Sequence, residues 1–230
     1  MLRVAVVTLF PEFFAAPLGV SILGRAAAKG LVEYRLVALR EYTHDRHQTA
    51  DDEPYGGGAG MVMRPEPFFE ALEALRLAGP VVLLSARGKT FTHADAVRFA
   101  VSEGLTLLCG HYKDVDQRVA DHLATEEVSV GDFVLSGGEP AALAVLDAVV
   151  RLLPGALGDH ESAAGDSFYE GLLAPPSYTR PAEYRGHGVP DVLLTGDHGR
   201  IAMWRQAEAE RLTRERRPDL WARYVERMGE

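Results

Sequence analysis

The chain has 230 residues and a formal charge of −9 at pH 7, from 24 basic and 33 acidic side chains. Its composition, 47% hydrophobic and 25% charged, excludes a disordered or collagen-like chain, and no apolar run approaches the roughly 20 residues of a membrane-spanning helix. Cys109 is the only cysteine, which excludes an internal disulfide and favours a reducing, cytoplasmic environment.

Short apolar segments alternate with helical patterns through the first two thirds of the chain. Strands are predicted over Leu2–Leu9, Val32–Leu39, Pro80–Leu84, Leu105–Cys109 and Val128–Leu135. Helices are predicted over Pro17–Ala28, Pro65–Leu77, Thr92–Val101, Val115–Leu123 and Glu139–Leu153, with a long polar loop over Arg40–Gly60. This alternation predicts an α/β fold with a mostly parallel sheet and helices on both faces.

The composition and periodicity of the sequence change at Pro154. Residues 154–181 are rich in Gly, Ala, Pro and Ser without a clear period, which is typical of a long connection. Two helices are predicted beyond it, over Ile201–Arg216 and Pro218–Arg227. Residues 1–175 carry a net charge of −10, whereas residues 176–230 carry +1 and ten arginines. We therefore expect an α/β domain over 1–158, a flexible linker over 159–175 and a helical domain over 176–230.

Two glycine clusters are candidates for ligand contacts. The first, Pro54–Met61, has four glycines in five positions, so its backbone N–H groups can form an anion-binding nest, although a mobile surface loop explains it equally well. The second, Ser129–Glu139, ends a strand in Gly137-Gly138 and opens a helix. Ligands of open α/β sheets bind at the carboxyl ends of strands, where Gly110 and Ser85 should also lie.

Other chemically capable residues are ambiguous by themselves. Asp166 lies in the predicted linker, where a lone Asp is usually a solvated turn residue. Arg151 ends an apolar helix, where a cation interacts favourably with the helix dipole. The eight histidines do not follow metal-ligand spacing, and no nucleophile motif is present, so no metal site is predicted.

Taken together and in this order, seven segments of the sequence resemble the bacterial tRNA (guanine-N1)-methyltransferases. They are Thr49–Met61, Ser129–Glu139, Leu152–Gly155, Asp166–Phe168, Tyr178–Pro181, Gly196–Arg205 and Arg216–Leu220. The resemblance implies a SPOUT-class fold with a deep trefoil knot in the α/β domain, and a homodimer with its active sites at the interface. It also implies S-adenosylmethionine as the methyl donor, bound in the knot. The cofactor residues that it implies are Leu83, Leu84, Ser85, Cys109, Gly110, Val130, Gly131, Asp132, Phe133, Val134, Leu135, Gly137, Gly138 and Ala141.

The substrate implied by the resemblance is the guanine at position 37 of tRNA, on the 3′ side of the anticodon. Asp166 matches the general base that removes the N1 proton, and Arg151 matches the cation that stabilises charge on O6. The anticodon stem-loop would be bound by the helical domain and the first glycine cluster. The implied substrate-binding residues are Asp51, Gly57, Gly58, Ser167, Arg180 and Arg205.

The sequence departs from this family at Lys113, where an acidic residue near the methionine end of the cofactor is usual. Asp114 or Asp116 could supply that acid instead, and assistance by a divalent cation stays open. Two other functions also remain: a SPOUT methyltransferase with a different RNA target, and a non-catalytic RNA-binding module. The former is disfavoured by the linker Asp and the Arg-rich helical domain, and the latter would bind RNA without transferring a methyl group.

Overall fold

A computed structural model describes residues 1–157 and 165–229. The chain divides into two compact units, Met1–Gly158 and Asp159–Glu230. Residues 159–164 of the predicted linker lie outside the described residues. The rest of that predicted linker belongs to the second unit, where the Leu173 backbone N–H donates to the Thr213 hydroxyl over 2.8 Å and Leu172 is buried.

The first unit is built on a five-stranded, wholly parallel sheet, which confirms the predicted α/β class. Its strands are β1 (Leu2–Thr8), β2 (Val32–Ala38), β5 (Val81–Thr90), β6 (Gly104–Cys109) and β8 (Glu126–Ser129), in the order β2-β1-β6-β5-β8. Each pairing is parallel. All six residues of β6 are buried, as expected for the apolar central strand of a parallel sheet.

Helices cover both faces of this sheet, and two apolar cores result. The helices are α1 (Ser21–Ala28), α2 (Pro65–Leu75), α3 (His93–Ala100), α4 (Gln117–His122) and α5 (Glu139–Val150). On one face α1, α3 and α5 pack residues such as Phe99 and Leu146 against the strands. On the other face α2 and α4 contribute Phe68 and Val119. Because β6 alternates between these cores, Leu107 faces the first and Leu108 the second.

Several predicted segments differ from the structure. The strand predicted over Val128–Leu135 ends at Ser129, because Gly131 takes a φ of +154° and its backbone N–H and C=O both bond to the Ser129 hydroxyl. The strand predicted to end at Leu84 continues to Thr90, with a register shift against β8. The helix predicted over Pro17–Ala28 is interrupted by extended Val20, so a 3-10 turn over Pro17–Gly19 precedes α1.

A second, three-stranded sheet was not predicted from the sequence. It consists of β3 (Asp51–Asp52), β4 (Val62–Met63) and β7 (Asp114–Val115), in the order β3-β4-β7. The strand β7 replaces the start of the helix predicted at Val115, because the Asp116 carboxylate caps α4 by accepting from the Arg118 backbone N–H. Each strand is only two residues long, which is too short for periodicity to reveal. A short 3-10 helix over Leu39–Tyr42 also lies within the predicted loop.

The second unit is mainly helical. It contains a small hairpin of β9 (Glu183–Tyr184) and β10 (His187–Gly188), a 3-10 turn over Asp191–Leu194, and the helices α6 (His198–Arg216) and α7 (Pro218–Met228). Helix α6 begins before the predicted Ile201, because the Asp197 side chain caps it by accepting from the Arg200 backbone N–H. Within the described part of the chain, no helix combines the length and the apolar character needed to cross a membrane.

Candidate functional site

A cavity of about 280 Å³ lies at the carboxyl ends of β6 and β8 and beside the register shift of β5, between Leu84 and Lys89. Its walls come from residues 83–87 within β5, from the ends of β6 and β8 and the segments that follow them, and from the first turn of α5. The lining residues are Leu83, Leu84, Ser85, Ala86, Arg87, Gly110, His111, Tyr112, Lys113, Asp114, Val115, Val128, Ser129, Val130, Phe133, Val134, Leu135, Ser136, Gly137, Gly138 and Ala141. The carboxyl edge of a parallel sheet is the usual position of a ligand in α/β proteins.

The structure brings together most of the residues singled out as cofactor-binding. Eleven of those fourteen line this cavity, and the exceptions are Cys109, Gly131 and Asp132. Cys109 is fully buried in the core below the cavity, where burial, followed by the Glu139 carboxylate, raises the pKa of its thiol well above the usual range. Asp132 is exposed on the loop after β8, so its side chain forms no part of the wall.

Close packing leaves no room for a side chain at two glycines of the cavity, Gly137 and Gly138. A Cβ built on Gly138 would lie 2.8 Å from the Cα of Cys109, and the Gly138 N–H donates to the carbonyl of Gly110 over 2.8 Å. A Cβ on Gly137 would lie 2.4 Å from both His111 Nδ1 and Glu139 Oε2. The N-terminus of α5 is therefore packed directly on the end of β6, and this wall of the cavity is formed by main chain.

A buried polar group beneath this wall was missed by the sequence analysis. Glu139, the first residue of α5, is 3% exposed and accepts a hydrogen bond from the Thr8 hydroxyl over 2.6 Å. Its other oxygen lies 3.9 Å from Nδ1 of His111. A carboxylate at a helix N-terminus interacts favourably with the helix dipole. The only sequence signal that could have indicated this buried Glu139 is its position directly after Gly137-Gly138.

The small three-stranded sheet holds the first glycine cluster, Pro54–Met61, beside this cavity. Because β4 pairs with both β3 and β7, the loop between Asp52 and Val62 is held next to Lys113. Gly57 and Gly58, with φ of +76° and +119°, are exposed on this loop, and Asp51 is half-buried in β3. The two glycine clusters, about 75 residues apart in the sequence, therefore meet at one edge of the first unit.

Lys113 extends along this glycine loop. Its backbone N–H donates to the carbonyl of Met61 over 3.0 Å. A Cβ built on Gly60 would lie 3.3 Å from the Cβ of Lys113, and one built on Gly58 would lie 3.4 Å from its Nζ. Side chains at either glycine would therefore crowd the lysine, which is exposed and also lines the cavity.

The next charged group along the wall is an ion pair. Asp114 lies 3.2 Å from the Arg87 guanidinium, and one of its oxygens also accepts from the Val115 backbone N–H. Arg87, Lys113 and Asp114 are the side chains of fixed charge in the lining. Among the residues that the structure describes, no carboxylate lies within ion-pair distance of Lys113.

The residues singled out as catalytic are carried by different units. Arg151 is half-buried at the C-cap of α5 in the first unit. Asp166 is exposed in the second unit, in a turn that continues through Phe168, whose φ is +77° and whose N–H donates to the Leu172 carbonyl. The Ser167 hydroxyl accepts from the Ala174 N–H over 2.9 Å and so holds this turn together.

A second cavity, of about 890 Å³ and open to solvent, lies within the second unit. Asp166, Arg180 and Arg205 all contribute to its lining, together with Tyr178 and Gln206. Arg180 and Arg205 are exposed, as residues that bind phosphates need to be. In neither unit, over residues 1–157 and 165–229, do three His, Cys, Asp or Glu side chains converge as metal ligands would.

A parallel α/β domain with a glycine-walled cavity at the carboxyl side of its sheet is the architecture of the α/β class of proteins, in which this edge of the sheet is the usual place for a ligand. Comparison with known proteins narrows this class. The chain belongs to the tRNA (guanine-1)-methyltransferase family, because the family model described as tRNA (Guanine-1)-methyltransferase TrmD matches residues 2–223.

Several relatives are similar along nearly their whole length. A protein named tRNA (guanine-N(1)-)-methyltransferase from Rhodospirillum rubrum is 53% identical over 225 residues, which cover 97% of this chain and 94% of the relative. Proteins of the same name from Cereibacter sphaeroides and Dehalococcoides mccartyi are 53% and 50% identical, with coverage of 97% and 95% of this chain and 93% and 90% of theirs.

Proposed function

We infer that this protein is an enzyme that transfers a methyl group from S-adenosylmethionine to N1 of a guanine in tRNA. The observation that carries this proposal is the cavity at the ends of β6 and β8 and the register shift of β5, in a chain of the tRNA (guanine-1)-methyltransferase family. We further propose that the target is guanine 37, beside the anticodon, and that the loops around the cavity are threaded as a trefoil knot.

The cavity fits such a cofactor in size and chemistry. Its volume of about 280 Å³ is near the lower end of small-molecule sites, roughly 300 Å³, and it is open on one side. Leu84, Val128 and Ala141 supply an apolar floor. Main chain at Gly110 and Gly138 approaches the ligand without side chains, which leaves peptide groups to recognise a purine. When bound, S-adenosylmethionine supplies an electrophilic methyl group on its sulfonium.

The remaining chemistry requires a base and a cation. Guanine N1 carries a proton, and its lone pair is delocalised, so N1 becomes nucleophilic as the proton leaves. Asp166 can accept this proton, and Arg151 can stabilise the negative charge that develops on O6. Because Asp166 belongs to the unit that also carries Arg180 and Arg205, we propose that tRNA binding orders the segment that carries the base. This coupling would restrict transfer to the correct RNA.

We assign the tRNA contacts to residues of both units. Arg180 and Arg205 would contact phosphates of the anticodon stem-loop, and Ser167 would hold the turn of the catalytic Asp. Asp51, with Gly57 and Gly58, would contact the guanine that precedes the target. We also propose that the enzyme works as a cytoplasmic homodimer in which each active site is completed at the interface.

Mass spectrometry of an unmodified tRNA transcript incubated with the protein and S-adenosylmethionine tests this function directly. We expect one methyl group, on N1 of guanine 37. Asp166→Asn should abolish transfer while the cofactor still binds, whereas Asp191→Asn, an exposed Asp of the same unit, should leave transfer unchanged. A methyl group on another atom would indicate a different RNA methyltransferase, and turnover by Asp166→Asn near that of the parent would exclude Asp166 as the base.

Arg151→Ala separates a catalytic role from a structural one. Loss of charge stabilisation should lower the single-turnover rate by roughly a hundredfold, as removal of one transition-state donor does. The affinity for tRNA should change far less. If rate and affinity fall equally, Arg151 serves the fold of the α5 C-terminus instead.

A further inference from the structure

The charges around the first-unit cavity are unbalanced. Arg87 and Asp114 form an ion pair, so their charges compensate each other. Lys113 is the third side chain of fixed charge in the lining, and no carboxylate among residues 1–157 and 165–229 is placed to pair with it. The wall of the cavity therefore presents one uncompensated positive charge.

The position of this charge is fixed by the fold. The Lys113 backbone is bonded to Met61, and its side chain lies against Gly60 at Cβ and approaches Gly58 at Nζ. The ammonium group thus lies beside Gly58, and the stem of the side chain lies beside Gly60, so no side chain of the loop intervenes at these two positions. Because Lys113 lines the cavity, an anionic group of a ligand bound there can reach its ammonium group.

The following inference rests on the proposed function. S-adenosylmethionine has two positive groups, the sulfonium and the α-ammonium, and a single negative one, the α-carboxylate. We propose that Lys113 binds this carboxylate and so orients the amino-acid end of the cofactor in the cavity. Asp114 then remains ion-paired with Arg87, and the amino-acid tail of the cofactor is recognised by the Lys113 ammonium group.

A comparison of ligands tests this assignment. Binding of S-adenosylmethionine, decarboxylated S-adenosylmethionine and methylthioadenosine is measured by calorimetry. The second ligand lacks only the carboxylate, and the third lacks the whole amino-acid tail. We expect the parent protein to prefer S-adenosylmethionine over its decarboxylated form by about tenfold, as for one charge-assisted contact that is partly exposed. Lys113→Met should reduce this preference to about twofold, whereas Lys113→Arg should retain it.

Two controls keep the outcome specific. Lys29→Met makes the same substitution at a lysine that bonds the Gly155 carbonyl and does not line the cavity, so the preference should be unchanged. Methylthioadenosine should bind Lys113→Met and the parent equally, which reports an intact cavity. If Lys113→Met no longer binds methylthioadenosine, the comparison of ligands is made with Lys113→Gln instead.

The results separate this inference from the function on which it rests. An unchanged preference in Lys113→Met overturns the assignment while leaving the methyltransferase intact. If that variant instead loses affinity for an anticodon stem-loop RNA, Lys113 contacts phosphate, and the assignment is equally overturned. Failure of the parent protein to bind either S-adenosylmethionine or methylthioadenosine would refute the proposed cofactor itself.

Discussion

Substitution of Gly138 by Ala tests the packing that shapes the cavity. The φ of Gly138 is −77°, which any residue adopts, so the effect of a side chain there is purely steric. The added methyl carbon would lie 2.8 Å from the Cα of Cys109 and 3.1 Å from the N of Gly110, whereas carbon atoms in contact normally lie about 3.5–4.0 Å apart. Both neighbours are backbone atoms of β6 or its end, so neither can rotate away.

The magnitude follows from these contacts. Overpacking of this kind costs about 1–3 kcal/mol, and displacement of α5 weakens the 2.8 Å hydrogen bond from Gly138 to Gly110, which contributes roughly 1 kcal/mol. Replacing Gly by Ala also lowers the entropy of the unfolded chain, which offsets this loss of stability by about 0.4–1 kcal/mol. We therefore expect a net loss of about 1–3.5 kcal/mol from the free energy of unfolding of the first unit.

The chain provides separate probes for its two units. Cys109 is the only thiol and is buried in the first unit, and both tryptophans, Trp204 and Trp221, lie in the second. The urea concentration at which the thiol becomes reactive should fall by roughly 0.5–1.8 M in Gly138→Ala, for a typical slope of about 2 kcal/mol per M. Tryptophan fluorescence should report an unchanged transition, and the affinity for S-adenosylmethionine should fall by about tenfold or more.

Gly19→Ala is the matched control, because its φ is not positive and no atom lies within 4 Å of the position of its Cβ. The thiol of this variant should become reactive at the same urea concentration as in the parent, or slightly above it. If Gly138→Ala and Gly19→Ala gave the same midpoint, the close contact between α5 and β6 would be refuted, together with the role assigned to it in the cavity.

Two further predictions concern the stability of the first unit. Leu146 of α5 is fully buried, so Leu146→Ala should lower the free energy of unfolding by about 2–5 kcal/mol in the same thiol assay. Val97 is exposed on α3, so the control Val97→Ala should lower it far less. Equal losses in the two variants would contradict the described core. Burial by itself raises the pKa of Asp95, but hydrogen bonds from Lys89, Thr92 and Arg98 outweigh it and hold that pKa well below its usual range. A carboxylate of this kind stabilises the fold fully above its unfolded pKa, about 3.9, and this contribution is lost as the pH falls toward the folded value. The stability advantage of the parent over Asp95→Asn should therefore shrink as the pH is lowered from about 5 to 2, and an advantage that stayed constant would exclude a charged Asp95 as its source.

The sequence predicted the architecture because its strongest signals are local. Five short apolar strands, each followed by a helix-like segment, require a parallel sheet covered on both faces, and the sheet has these five strands. The errors concern segments whose local pattern conflicts with a tertiary contact. Phe133, Val134 and Leu135 read as the continuation of a strand, yet they are exposed beyond a sharp turn at Gly131.

The candidate site was predicted as residue types rather than as an arrangement. Gly137 and Gly138 were recognised at the end of an apolar strand, and the cavity does lie there. Glu139 was passed over, because nothing near it in the sequence indicates that Thr8, 131 residues away, donates to it. Likewise, the two-residue strands that bring the glycine loop to Lys113 carry no periodicity of their own.

The sequence by itself determined the fold class, the two-part division of charge and the family to which the chain belongs, since each depends on composition, period or motif order. The tertiary structure alone decided which of these motifs meet. Only the packed sheet places the main chain of Gly138 against β6, and only the three-stranded sheet lays Lys113 along Gly58 and Gly60. These contacts join segments that are far apart in the sequence. They cannot be predicted from local patterns, because the packing of the whole core sets the register of the strands and the distance between their backbones.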